Sequence, residues 1–365
     1  MSEPTATPLR CPSCGSDVTP EAAFCENCGS PLTPTEAPAV TGTEDLEAPI
    51  ELTRSVRAQP AQTQPTVPAS APCTSCGGVV GADGYCETCG TKALSVRDHY
   101  NEQPASWVAA CCDKGIRHHR NEDATAVAAD PEPGSRAILV VCDGVSTSLD
   151  SDVASLAAAR AAREVLVGHR PAGMGVPGSR AAAIAAAMET ATTAANTAVV
   201  DSTAPESDNA ASCTFAAAVV IEDLVVFANV GDSRVYWLPD PGSTPAEQPA
   251  ELSLDDSVAQ ARIAMGVSRE EAENGPQAHA ITKWLGRDSP DFSPRTGSIT
   301  VTNPGWLLVC SDGLWNYASE AADLQTLVGQ LGGPTAEPLT LADALVRWAN
   351  EQGGKDNISA ALARL

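Results

Sequence analysis

Two apolar runs constrain this chain more than anything else in it. Leu139 to Val145 reads LVVCDGV and Leu308 to Leu314 reads LVCSDGL, each an uninterrupted hydrophobic segment that stops on Asp-Gly. Short continuous runs of this kind are strands covered on both faces. Such strands need layers above and below them. Each run also brings a carboxylate, Asp143 or Asp312, to the end of a buried strand. A lone buried carboxylate costs on the order of several kcal/mol unless positive charge meets it. Either a metal or a paired cation waits there, or the two Asp-Gly pairs are ordinary strand-end turns.

The surrounding texture supplies the layers. WVAACCD from Trp107, TAVAAD from Thr125 and RAILVVCDGV from Arg136 read as strands. Val153 to Gly168 and Arg180 to Val200 are Ala-rich and read as helices. The run CTFAAAVVIEDLVVFANVGDSRVYWL reads as a three-strand meander, turning first at Glu222-Asp223 and again at Gly231-Asp232-Ser233. In that reading Asp232 is as much a hairpin-turn residue as one that shapes a site. A polar insert follows, then strands at Ser298–Thr302 and Trp306–Cys310, a helix near Leu341–Glu351 and a last strand, ISAALARL. Strands before and after a central helix pair give an α+β layered domain.

The first 90 residues are of another kind. Eight of the 13 cysteines form four C-x-x-C pairs there, in two quartets: Cys11, Cys14, Cys25 and Cys28, then Cys73, Cys76, Cys86 and Cys89. Two such pairs complete a tetrahedral Zn²⁺ site, and with all four positions filled by thiolates the zinc is structural. A Gly after each pair (Gly15, Gly29, Gly77, Gly90) permits the tight positive-φ turn that aims N–H groups at sulfur. The quartets are similar to the zinc-ribbon modules of prokaryotic signalling proteins, and define ribbons at 10–32 and 73–92. Residues 33–72 between them are rich in Pro, Thr, Ala, Glu and Gln and read as a flexible linker. Near the quartets the basic residues are only Arg10 and Lys92, and the whole chain has 22 Lys and Arg against 46 Asp and Glu, a formal charge of −24. Nucleic acid and anionic lipid both require basic surface, so the ribbons are expected to recognise or tether protein. No basic, apolar leader or membrane-length apolar run is visible, and a cytoplasmic location is expected. The other five cysteines, Cys111, Cys112, Cys142, Cys213 and Cys310, lie in apolar runs and read as small buried hydrophobes.

Further acidic residues join Asp143 and Asp312: Glu122-Asp123 in HHRNEDA and Asp356 in GGKDNIS. Taken in order, N-E-D, a strand ending D-G, G-D-S-R, a strand ending S-D-G and G-x-x-D-N-I-S resemble the metal-dependent Ser/Thr protein phosphatases of type 2C, over Ser106 to Leu365. The resemblance implies a four-layer α-β-β-α sandwich across 100–365. It also implies two Mn²⁺ or Mg²⁺ ions acting on a water that attacks phospho-Ser/Thr. Hard oxygen ligands suit those ions. By the same resemblance Asp143 bridges both ions and the Gly144 carbonyl binds one. Asp312 and Asp356 hold the other, Glu122 and Asp123 orient water or complete the second site, and Asn357 supports the ligands from behind. HAITKWLG (from His279) and LSLDDS (from Leu252) resemble segments flanking the family's variable flap, which places a mobile element at Gln260–Gln277. His279 itself reads as structural, and Trp306 and Trp315 as core.

The chain departs from the family pattern in places. His118 stands where an Arg usually grips phosphate, so Arg120, or a protonated His118, is the expected replacement. Val145 stands where many relatives carry a possible acid, leaving water or His118 to protonate the leaving alkoxide. The implied partner is a phosphoprotein, a Ser/Thr kinase or its target. Two rivals accompany this reading. Cys111 to Arg117 spells C-x5-R, the spacing of cysteine-dependent phosphatases, but without a following helix. A catalytically weak phosphoprotein-binding scaffold is the other.

Overall fold

A computed structural model describes residues 9–10, 17–18, 72–73, 76–81, 84–91, 93, 95–170, 177–242 and 247–365. The chain divides into two compact units, Met1–Val67 and Pro68–Leu365. In the first, Leu9–Arg10 pairs antiparallel with Asp17–Val18. The expected zinc ligands Cys11, Cys14, Cys25 and Cys28, and the linker up to residue 71, lie outside the described residues.

In the second unit the strands are β1 (His99–Ala105), β2 (Val108–Asp113), β3 (Ala124–Ala129), β4 (Arg136–Cys142), β5 (Phe215–Ile221), β6 (Leu224–Val230), β7 (Arg234–Pro239), β8 (Ala250–Glu251), β9 (Arg295–Thr300), β10 (Gly305–Cys310) and β11 (Ile358–Arg364). The helices are α1 (Ser151–Gly168), α2 (Pro177–Asp201), α3 (Val258–Ala264), α4 (Arg269–Glu273), α5 (Asp312–Trp315), α6 (Ala321–Gln330) and α7 (Pro338–Glu351). The larger sheet runs β8-β7-β10-β11-β2-β1 and the second β9-β6-β5-β4-β3, antiparallel throughout, while Ser212–Cys213 and Leu285–Gly286 form a separate antiparallel pair.

Side-chain alternation along the two opening runs builds four layers. On β4, Ile138, Val140 and Cys142 pack against α1 and α2, while Ala137, Leu139 and Val141 pack against the opposite sheet. On β10, Trp306, Leu308 and Cys310 face α6 and α7, while Leu307 and Val309 face the opposite sheet. The result is the α-β-β-α sandwich. α1 buries Ala154, Ala158, Ala159, Ala162 and Leu166, a stripe at helical spacing whose small side chains let it lie close to the sheet. Among the described residues no helix is long and apolar enough to cross a membrane.

Three elements differ from the sequence reading. β1 is a polar edge strand without alternating aliphatics, and periodicity passes over it. α6 also went unpredicted, although its Ala321, Leu324, Leu327 and Val328 are buried. The supposed meander is the larger correction. β5 and β6 do form a hairpin, but β7 pairs with β10 of the other sheet, so Gly231–Ser233 is a crossover between sheets and not a hairpin turn. Gln260–Gln277, expected as a mobile element, holds most of α3 and all of α4, each helix started by a serine cap, Ser257 on Gln260 N–H and Ser268 on Glu271 N–H.

Candidate active site

Antiparallel pairing sets the start of one strand beside the end of its neighbour. Ala124 pairs with Cys142, so Asp123 and Asp143 leave one sheet together; Cys310 pairs with Ala360, which brings Asp312 and Asp356 to the same end of the other. The β6-to-β7 crossover adds Asp232 between them. These five acids act on one another. Burial pushes the Asp143 carboxyl well above the usual range, and the charges of Asp123, Asp312, Asp356 and Asp232 push it further. Asp312 is raised in the same way, by burial and then by Asp356, Asp232 and Asp123. Asp123 is raised to about 6, chiefly by burial and against the hydroxyls of Ser311 (2.6 Å) and Ser359 (2.8 Å) that donate to its Oδ2. Burial, then Asp255, raises Asp232 to about 7.

Two observations fit this cluster to cations. Buried Asp123 Oδ1 and Asp312 Oδ1 accept no hydrogen bond. Among the described residues no Lys or Arg forms an ion pair with Asp123, Asp143 or Asp312. Orphaned carboxylate oxygens without a compensating side chain are the donor set a hard divalent ion takes.

Both Asp-Gly glycines are required for space. A Cβ on Gly313 would stand 1.9 Å from the Asn357 carbonyl oxygen, and one on Gly144 2.7 Å from that of Glu122. Neither Asp-Gly is therefore a simple turn pair. Thr214 braces Asp143 from both sides: its hydroxyl accepts from the Asp143 N–H (3.0 Å) and its own N–H donates to the Asp143 carbonyl (2.7 Å). Asn357 holds the acidic loop by accepting from the Glu122 N–H (2.8 Å) and donating to the Lys114 and Arg120 carbonyls.

Glu122 is a hub. Its Oε1 accepts from Arg120 Nη2 (2.8 Å) and Ser151 Oγ (2.5 Å), and its Oε2 from Ser146 Oγ (2.7 Å). Burial opposes its ionisation, but His118, Ser151, Ser146 and Arg120 together lower it to about 2. His118 lies between Glu122 Oε2 (3.6 Å) and Asp356 Oδ1 (3.2 Å). The Glu122 hydrogen bond, against the opposing effect of burial, raises its pKa. Arg120 and His118 thus converge on Glu122.

Sequence reasoning missed several residues here. His279, read as structural, has a side chain 56% exposed and stands 3.9 Å from Asp312 Oδ2. Arg234 of G-D-S-R is buried; it donates to Asp255 (2.7 Å), Glu273 of α4 (2.8 Å), Ser319 (2.9 Å) and Tyr236 (3.1 Å), with its guanidinium 3.5 Å from the Trp315 ring centroid. Only its place beside Asp232 in the motif hinted at that. Trp306 and Trp315 are core, as expected. The C-x5-R reading fails: Cys111 is wholly buried in β2 and burial drives its thiol far up, while Arg117 is exposed. The other four scattered cysteines are buried too.

In the second cysteine quartet the four sulfurs of Cys73, Cys76, Cys86 and Cys89 all lie within 4.8 Å of one another. Cys73 and Cys89 are 3.7 Å apart and Cys76 and Cys86 3.5 Å. Gly77 and Gly90 have φ of 73° and 71°, the turn that this spacing needs.

Comparison with known proteins agrees with this geometry. Residues 114–362 match the protein phosphatase 2C family and residues 10–32 a zinc-ribbon domain. Protein phosphatase PhpP of Streptococcus pneumoniae is 32% identical over 149 residues, 40% of this chain and only 55% of that protein. Serine/threonine phosphatase stp of Listeria innocua is 29% identical over 258 residues, 68% of this chain and 92% of its own length. The fold is similar to that of serine/threonine phosphatase Stp1 from Staphylococcus aureus, with a TM-score of 0.58 at 24% identity, covering 71% of this chain and 94% of that one. It is also similar to the Mycobacterium tuberculosis phosphatase PstP/Ppp, with a TM-score of 0.56 at 23% identity over 71% and 97%. With its acidic cluster at the sheet ends and the family match spanning most of the sandwich, the chain belongs to the protein phosphatase 2C family.

Proposed function

We propose that this chain is a Mn²⁺- or Mg²⁺-dependent protein Ser/Thr phosphatase. The observation that carries the reading is the pair of buried, unpartnered oxygens, Asp123 Oδ1 and Asp312 Oδ1, inside a five-carboxylate cluster of a 2C-family sandwich. One relative of the same fold, a PstP catalytic domain (TM-score 0.53), is described in complex with two manganese ions. Asp143, the Gly144 carbonyl, Asp312, Asp356 and Asp123 are the groups that would hold the ions. When bound there, divalent ions would supply Lewis-acid charge and a water acidic enough to serve as nucleophile.

The chain's own residues do the rest. Arg120 presents a guanidinium, oriented by Glu122, to the phosphate oxygens. His118, protonated between Glu122 and Asp356, gives its proton to the Ser or Thr oxygen as the P–O bond breaks. Glu122 acts as the acceptor that fixes both. Asn357 and Asp232 support the site from behind. The substrate is a phospho-Ser/Thr protein, a kinase or its target in a bacterial signalling pair, and two structural Zn²⁺ ions complete the ribbons.

The test is hydrolysis of a phosphothreonine peptide with Mn²⁺, again after EDTA, and with Asp143→Asn. Turnover that returns on adding Mn²⁺ alone, without zinc, and is absent in the variant supports the enzyme. A second reading rests on Arg120 being already tied to Glu122, Ser151 and Asp152. Mn²⁺ binding by calorimetry without turnover would favour that reading, a phosphoprotein-binding scaffold.

A further inference from the structure

Between the second ribbon and β1 the chain turns at Ser95–Asp98, where Asp98 Oδ2 accepts from the Ser95 N–H (2.8 Å). From this turn Arg97 reaches the back of the acidic loop. Its Nη2 donates to the carbonyls of Asp123 (2.8 Å), Asp152 (3.2 Å) and Asn121 (3.3 Å), and its Nη1 to Tyr100 OH (3.4 Å). Asn121 answers: its Nδ2 donates to the Arg97 carbonyl (2.8 Å), and its Oδ1 accepts from the Asp123 N–H (3.2 Å).

The carbonyls belong to two segments that must stay in register. Asn121 and Asp123 bracket Glu122. Asp152 is in the first turn of α1, whose Ser151 and Ser155 hydroxyls hold the Glu122 carboxylate and carbonyl. One guanidinium therefore fixes where Glu122 and Asp123 stand relative to the helix that orders them. Among the described residues the Arg97 side chain donates to backbone carbonyls and Tyr100 OH and to no carboxylate. We infer that Arg97, outside every phosphatase motif in the sequence, is a positioning residue for the Glu122–Asp123 loop. The segment leaving the second ribbon is thus part of the machinery that shapes the metal site. This inference rests on the phosphatase reading above.

Residues that orient metal ligands from behind typically change metal affinity or activity by about 10–100-fold. In the full chain, Arg97→Ala is expected to weaken Mn²⁺ binding by calorimetry at least about 10-fold. With Mn²⁺ saturating, the loss should fall mainly on kcat for a phosphothreonine peptide, with little change in KM. Arg97→Lys, which keeps one charged donor but not the fork, should recover part of the Mn²⁺ affinity. Hydrogen exchange of the metal-free protein gives a readout independent of turnover: amides of residues 121–124 should exchange faster in Arg97→Ala while those of β10 do not. Should Arg97→Ala fail to fold, Arg97→Lys carries the same comparison, with Mn²⁺ affinity between wild type and loss. Mn²⁺ affinity and loop exchange within twofold of wild type in Arg97→Ala, or, where that variant does not fold, in Arg97→Lys, would overturn the inference. If wild type binds Mn²⁺ without turning over, the enzyme reading falls, and affinity and exchange still judge Arg97.

Discussion

Arg234 offers the sharpest test of how α4 is held. Its side chain is 1% exposed and meets Asp255, itself 2% exposed, in three close contacts, while reaching Glu273 on α4. Arg234→Ala would leave the Asp255 carboxylate buried without its cation and would empty the space over the Trp315 ring. Breaking one side of a buried pair typically costs about 3–5 kcal/mol. For a domain of this size that is a drop in Tm on the order of 10 °C. The loss carries a pH signature. Burial already raises the Asp255 carboxyl, and Arg234 opposes it. Without Arg234 the folded pKa rises further above the unfolded value of about 3.9. A raised folded pKa gives stability that is complete below the unfolded pKa and lost as pH climbs through the folded one. The variant's deficit should therefore be large at pH 8 and shrink toward pH 4. Urea unfolding of wild type and variant across that range measures it. Replacing both partners, Arg234→Met with Asp255→Leu, should recover much of the loss. A deficit below about 1 kcal/mol, or one that does not change with pH, would refute the argument.

Three further substitutions have defined outcomes. Asp143→Asn removes one of several mutually repelling carboxylates, so calorimetry of the metal-free variant should give a Tm at or above that of metal-free wild type. Wild type alone should then gain several degrees on adding Mn²⁺. Gly313→Ala should lose about 1–3 kcal/mol through the clash with Asn357 and bind Mn²⁺ more weakly. Gly329→Ala in α6, where a Cβ meets nothing within 4 Å, should instead gain up to about 1 kcal/mol in chemical denaturation.

The layered core was legible because its signal is local. β4 and β10 advertise burial on both faces, and the Ala-rich stripes of α1 and α2 repeat at helical spacing. The strand-end acids were legible because each sits in a short motif, and the antiparallel order of strands then collects them. What escaped depends on partners distant in the chain. Nothing local distinguishes the sheet crossover at Gly231–Ser233 from a hairpin, because the difference is which strand β7 pairs with. Arg97 and Arg234 escaped for the same reason, since their acceptors lie in segments remote in sequence. β1 is polar because it lies at a sheet edge, and an edge strand need not alternate.

The crossover also has a mechanical meaning. Asp123 and Asp143 stand on one sheet, Asp312 and Asp356 on the other, and Asp232 on the chain that passes between them. The acids thus form a clasp across the sandwich, and the gap between their two halves is set by how one sheet rests on the other. A shove on α7 or α1 that slid the sheets would alter that gap directly, with no intermediate moving part. In this architecture the core is the calliper that sets the spacing of the site.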